Sequence, residues 1–305
     1  MKLTLLGPQR RPTLDTVVRS LRLNGPIATV TAGWQEREPA DDELSERLGA
    51  HDVNLSLYRR WLDVQEREPG FAAAERRLRG VLEEVQDIYL LRLDHALRAV
   101  YAVQRRSGNE QLRADELAEA VAAVRELDAA HVHRIGDVRG EFYQALQPFN
   151  RPVIAEHRAA VARLLSDAAV LVVAGGHVGV LADTLHLFNV AASLRSPVVA
   201  WSAGAMALTD RIVLFHDRSP QGSGHPEVYC RGLGVLNNLV PLPHARARLL
   251  LDDAPRMAVF ARRFAPARCV LLESGTRVDT DGDGSCPPGT RVLAEDGRVI
   301  SLEAA

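Results

Sequence analysis

The chain has 305 residues, 47% of them hydrophobic and 25% charged, with a formal net charge of −2. That is the composition of one large globular domain or two medium ones, and it excludes the strongly basic face that nucleic-acid binding demands. No run approaches the roughly 18 apolar residues of a membrane span, the opening "MKLTLLGPQRRP" is too short in apolar residues for a secretory signal, and Cys230, Cys269 and Cys286 have neither even number nor metal-ligand spacing, so a soluble, cytoplasmic protein without disulfides is expected.

In chain order, "KLTLLG" (2–7) and "IATVTAG" (27–33) read as strands closed by glycine, with a helical "TLDTVVRSLRLN" between them. That is a βαβ opening and predicts a parallel sheet. "DDELSERLGA" reads as a helix and "HDVNLSLY" (51–58) as a third strand. From about Arg59 to Asp167 glycine is sparse and no β-rich run occurs. Leu78, Val81, Leu82, Val85, Ile88, Tyr89 and Leu93 recur at three- and four-residue steps, the spacing of an amphipathic helix. "RSGNEQ" (106–111) turns the chain into a second long helical stretch. Charge runs such as "RRLRG" and "ARRFAPAR" read as solvated helix faces.

A helical hairpin over 59–165 is therefore expected as an insertion in an α/β domain built from 1–58 and 166–305. It reads as a packing arm, or as one that joins copies into a homo-oligomer; a lid over an active site is the alternative. Sheet character returns with "AVLVVAGGHVG" (169–179), a helix "LADTLHLFNVAASLRS", the strand "PVVAW", and a helix opening at "AGAMALTD". "RIVLFHD", "RCVLLESG" and the hairpin "TRVLAEDGRVISLE" complete the set. Fully apolar strands alternating with helices predict an α/β fold, a mostly parallel sheet with helices on both faces.

In "SPVVAWSAGAMALTDR" (196–211), Ser202 ends an apolar strand and precedes Ala203-Gly204-Ala205. A serine there is either a helix N-cap or the nucleophile of a tight strand–turn–helix elbow. "DTDGDGSC" (279–286) has alternating Asp279, Asp281 and Asp283, but Thr290 stands where a calcium loop needs its bidentate Glu. It reads as a polar Asp-Gly hairpin turn, with no metal.

The ordered blocks "VLVVAGGHVGVL", "VVAWSAGAMAL", "GLGVLNNLVPLPHARARL" and "CVLLESGTRV" resemble the aspartyl dipeptidase (peptidase E) and cyanophycinase family of serine peptidases. The fold of that family is related to class I glutamine amidotransferases. The resemblance covers roughly 165–280; the helical stretch lies outside it. It implies Ser202 as nucleophile, His244 as general base and Glu273 as the acid that orients the base; in "LFHD", Asp217 stands as a second-choice acid and His216 as a competing base. A serine hydroxyl needs an adjacent base to become a nucleophile, and a carboxylate to fix that base's tautomer. Gly175, Gly176 and the amide of Ala203 would form the oxyanion hole, and His177 and Arg248 would touch substrate.

The implied substrate is a small peptide, isopeptide or amide with an acidic residue beside the scissile bond, and no cofactor is implied. Three departures stand against the pattern: Ala200 in place of glycine, His177 in place of Asp or Asn, and Ala245 in place of an aromatic. They favour a divergent substrate, and leave a degenerate binding or scaffolding protein as the rival reading. A glutamine amidotransferase is set aside, because no cysteine stands at the elbow.

Overall fold

A computed structural model of the chain describes residues 1–9, 13–49, 51–217 and 224–303. The opening alternates as expected: β1 (Leu3–Leu6), α1 (Leu14–Ser20), β2 (Ile27–Val30), a 3₁₀ segment (Ala32–Arg37), α2 (Asp42–Leu48) and β3 (Asp52–Asn54). Four helices follow: α3 (Leu57–Arg67), α4 (Pro69–Gln104), α5 (Glu110–Leu146) and α6 (Pro152–Asp167). Then come β4 (Val170–Val173), α7 (Val178–Leu187), α8 (Val190–Ser193), β5 (Val198–Trp201), α9 (Ala203–Ala207), β6 (Ile212–Leu214) and β7 (Glu227–Cys230). The chain closes with β8 (Leu239–Pro243), α10 (Ala245–Arg248), α11 (Ala254–Phe264), β9 (Arg268–Leu272), β10 (Arg277–Thr280), β11 (Arg291–Leu293) and β12 (Val299–Ser301).

The main sheet runs β10-β1-β5-β4-β2-β3 and is parallel except for β10. Every residue of β1, β2, β4 and β5 is buried, as strands covered on both faces must be. The molecule is thus a mixed α/β protein with a long helical hairpin, α4–α5. A second sheet, β12-β11-β9-β8, carries β8 and β9 as a parallel pair.

Four local expectations are corrected. The predicted helix 181–196 breaks at Asn189, whose left-handed φ of 53° separates α7 from α8. The "RIVLFHD" strand pairs with β7 in a separate two-stranded sheet, outside the main one. The 279–286 segment is no hairpin turn, because β10 pairs with β1 and β11 with β9, so this stretch crosses between sheets. On α4, Val81 and Ile88 are 45% and 53% exposed, whereas Tyr89 and Leu93 are buried; α5 covers one side only and leaves the fringe of the apolar stripe in solvent.

α3 and α6, which straddle the two limits of 59–165, bury Leu57, Val64, Val153, Ile154 and Val161 in the same core as the main sheet. The hairpin is tied to the body by a buried ion pair. Arg263 of α11 donates Nε and Nη2 to the two carboxylate oxygens of Asp128 on α5, each at 2.7 Å. The Tyr89 hydroxyl of α4 donates to Asp128 at 2.8 Å and accepts from the Val228 amide at 3.1 Å. Such a charge-assisted, two-pronged contact fixes geometry as well as charge.

Candidate active site

Ser202 has φ 50° and ψ −121°, a backbone conformation that L side chains rarely adopt and that costs of order 1–3 kcal/mol. The surroundings impose it. Its amide donates to Leu6 O at 3.4 Å, its carbonyl accepts from Met206 N at 3.2 Å, and β5 and α9 on either side are wholly buried. The first turn of α9 runs against the end of β4: a Cβ on Gly204 would stand 2.4 Å from Val173 O. Small residues around Ser202 are therefore a packing requirement. Its side chain makes no N-cap hydrogen bond, which removes the bland role for this serine. Ala200 lies inside β5, fully buried and paired with Leu5 and Val173, so its methyl is accommodated in extended backbone.

His244 and Glu273 meet through strand register. β8 and β9 are parallel and their last pair is Pro243–Leu272, so the next residues, His244 and Glu273, emerge together. The His244 amide donates to Leu272 O at 3.2 Å. The Glu273 carboxylate accepts from the Arg246 amide at 2.8 Å, beside the first turn of α10. The end of β1 joins this corner to the elbow: Gly7 N donates to Thr276 O at 3.0 Å, and a Cβ on Gly7 would stand 1.7 Å from Glu273 O. Only glycine lets the backbones approach so closely.

Gly175 and Gly176 form the turn after β4. A Cβ on Gly175 would lie 3.1 Å from the Ser202 Cβ, and Gly176, at φ 124°, presses on Gly33, where a Cβ would lie 2.3 Å from Gly33 O. His177 N donates to that same Gly33 carbonyl at 2.7 Å. Among the described residues no acceptor engages the amides of Gly176 or Ala203, which leaves both as donors beside the serine.

Ser202, His244, Gly175, Gly176, Ala203 and Arg248 border one cavity of about 950 Å³. Arg248 is half-buried, and burial pushes its guanidinium pKa down. Arg37, which borders the same cavity, joins it in having no carboxylate partner among the described residues, whereas Arg47 is paired with Glu43 at 2.6 Å. Four sequence candidates do not border this cavity. The Glu273 carboxylate is taken by the Arg246 amide of α10. His177 caps α7, accepting from Val180 N at 3.2 Å, and faces a second cavity. Asp217 is buried, where it accepts from Leu250 N at 3.1 Å and from Arg256 at 2.6 Å, and His216 is exposed.

The cavity residues that sequence reading missed are Trp34, Arg37 and Arg47, and with them Gly7 and Gly33, which shape its walls. "TAGW" and the strand-closing Gly7 carried the only signal. Among the described residues no cluster of three or more His, Cys, Asp or Glu is placed to hold a metal ion. Asp279 accepts from Thr4 at 2.7 Å and Asp283 from Ser285 N at 2.8 Å. Cys230 and Cys269 are buried, which pushes each thiol up to about 12. No described helix is long and apolar enough to cross a membrane.

No protein-family model matches the sequence, and no curated protein matches it either. Among solved structures the chain is similar to the crystal structure of a peptidase from an acI-B1 Actinobacterium, at TM-score 0.46 and 14% identity, covering 99% of this chain and 94% of that one.

Proposed function

We propose that the protein is a serine hydrolase of the peptidase E and cyanophycinase type, on a fold related to class I glutamine amidotransferases. The observation that carries this reading is the strained backbone of Ser202, φ 50° and ψ −121°, at the edge of a cavity that His244 also borders. Ser202 Oγ attacks the carbonyl carbon of a small peptide, isopeptide or amide as His244 takes its proton. The amides of Gly176 and Ala203, with Gly175 shaping the turn, receive the developing oxyanion; one such donor is typically worth about 10²–10³ in rate. His244 returns the proton to the leaving amine as the C–N bond breaks, and water then hydrolyses the acyl-enzyme.

Glu273, beside His244 by register, orients the imidazole and offsets its charge. Asp217 is taken up by Arg256 and Leu250, so it is not favoured as the acid. A half-buried guanidinium without a counter-charge among the described residues, Arg248, suits a substrate carboxylate, with the exposed Arg37 on the same cavity. His177, turned away from the cavity, is not favoured as a substrate contact.

The test is covalent labelling with a fluorophosphonate followed by peptide mapping, run beside a screen of acidic dipeptides and isopeptides. Label on Ser202, and hydrolysis reduced at least about 10³-fold in Ser202→Ala, is the expected result. A folded protein that takes no label, with Ser202→Ala indistinguishable in the screen, would leave a binding or scaffolding role instead.

A further inference from the structure

A second cavity, about 560 Å³, lies between the helical hairpin and the body. Trp61 of α3, Tyr229 of β7 and the faces of α4, α5 and α7 wall it. It is separate from the Ser202 cavity, and the two share a partition: Gly175 and Gly176 face the serine, whereas His177 and Gly179 face this space.

Its charges are unevenly matched. Asp183 is paired with Arg139 at 2.7 Å. Glu75 stands 3.9 Å from Arg79 and accepts from Trp61 Nε1 at 2.9 Å. Glu83 and Asp87, one α4 turn apart on the rim, have no cationic or hydrogen-bonding partner among the described residues. The aromatic wall already takes a guanidinium, since Arg79 lies 5.9 Å over the Trp61 ring. Unused donors border the same space. Arg139 gives Asp183 only Nη2, and its Nη1 has no acceptor among the described residues. The Tyr229 hydroxyl, which reaches toward Gly179, has no partner among the described residues.

We infer that this cavity binds a small α-amino acid with a cationic side chain. The surplus carboxylates Glu83 and Asp87 receive the cationic end, while Arg139 and Tyr229 receive the carboxylate. Two unmatched anions on α4 and unmatched donors on α5 and β7 fit a ligand of net charge near +1. A simple anion would meet the rim carboxylates, and a neutral apolar molecule would leave both ends unsatisfied. The inference does not depend on the hydrolytic reading.

L-lysine is the probe, titrated by calorimetry into the intact chain. Saturable one-to-one binding is expected, with Kd raised about tenfold or more for norleucine, which lacks the side-chain ammonium, and for cadaverine, which lacks the carboxylate. The combined Glu83→Gln and Asp87→Asn variant changes two exposed positions, and an unchanged thermal transition checks its fold. It should weaken lysine binding by a similar factor, while Ser202→Ala leaves it unchanged. The inference is overturned by no saturable lysine binding up to millimolar concentration, by equal affinity for either analogue, by equal affinity of the double variant, or by loss of binding in Ser202→Ala.

Discussion

At Ser202 the backbone conformation and the proposed chemistry make opposite demands. A φ of 50° with ψ of −121° suits glycine, whereas the nucleophile proposed at this position requires a side chain. Ser202→Gly should therefore be more stable than Ser202→Ala by about 1 kcal/mol in urea unfolding, since glycine relieves the strain and loses part of that gain to unfolded-chain entropy. Equal stability would mean the backbone stores nothing at this position. The neighbouring turn makes the reverse case. Gly176→Ala places a methyl 2.3 Å from Gly33 O at φ 124°, so the turn must shift. A loss of roughly 2 kcal/mol or more, with hydrolysis down about 10²-fold, is the expected outcome. Glu273→Gln keeps the shape but loses the charge beside His244. It should lower kcat by about 10²–10⁴ while leaving fluorophosphonate labelling of Ser202 detectable.

At the scale of elements, two strand pairings and one ion pair set the site. β1 lies beside β5, so Leu6 meets the elbow; β8 lies beside β9, so His244 and Glu273 each follow the last residue pair of the two strands. The hairpin is fixed to this frame through Asp128 and Arg263, whose side chains are each 2% exposed. Removing one partner strands a buried charge, so Asp128→Ala should cost about 3–5 kcal/mol in chemical unfolding. A loss under about 1 kcal/mol would show that the hairpin is held by its other contacts, apolar packing and the Arg139–Asp183 pair among them. Of these elements, β1, β2, β4 and β5 were legible because both faces are covered, so β4 and β5 are wholly apolar and β1 and β2 are interrupted by a single threonine each. Ser202 stood out as a serine closing an apolar strand before three small residues, whereas His244 and Glu273 were candidates only through resemblance, since nothing in the spacing of Pro243 and Leu272 announces that they pair. The break at Asn189 was hidden inside continuous apolar periodicity. The Asp128–Arg263 pair spans 135 residues, and Trp34 and Arg37 reach the cavity from a 3₁₀ segment without sequence periodicity.

For the molecule as a whole, the joint between hairpin and body carries a pH dependence. His131 of α5 is 5% exposed, stacked on Tyr89 at 3.8 Å and bonded to Gln86 at 2.8 Å. Burial pushes its pKa down to about 4, against the partial opposing pull of Asp128. Unfolded, the imidazole titrates near 6.5. Above that pH both states are neutral and His131 adds no pH dependence. Between about 6.5 and 4 the unfolded chain takes up a proton that the folded one refuses, so stability falls as pH falls, by about 3 kcal/mol across the window. Glu38, Glu75 and Glu227, whose carboxyls burial pushes up, act with the opposite sign, because protonation relieves their folded state. The total slope therefore mixes both, and the informative quantity is a difference. Urea unfolding at pH 7, 6, 5 and 4 should show a shallower acid loss in His131→Gln than in the parent chain, with the two curves separating below pH 6.5. Parallel curves would place His131 where a proton reaches it as readily folded as unfolded, and the joint would then be open to solvent.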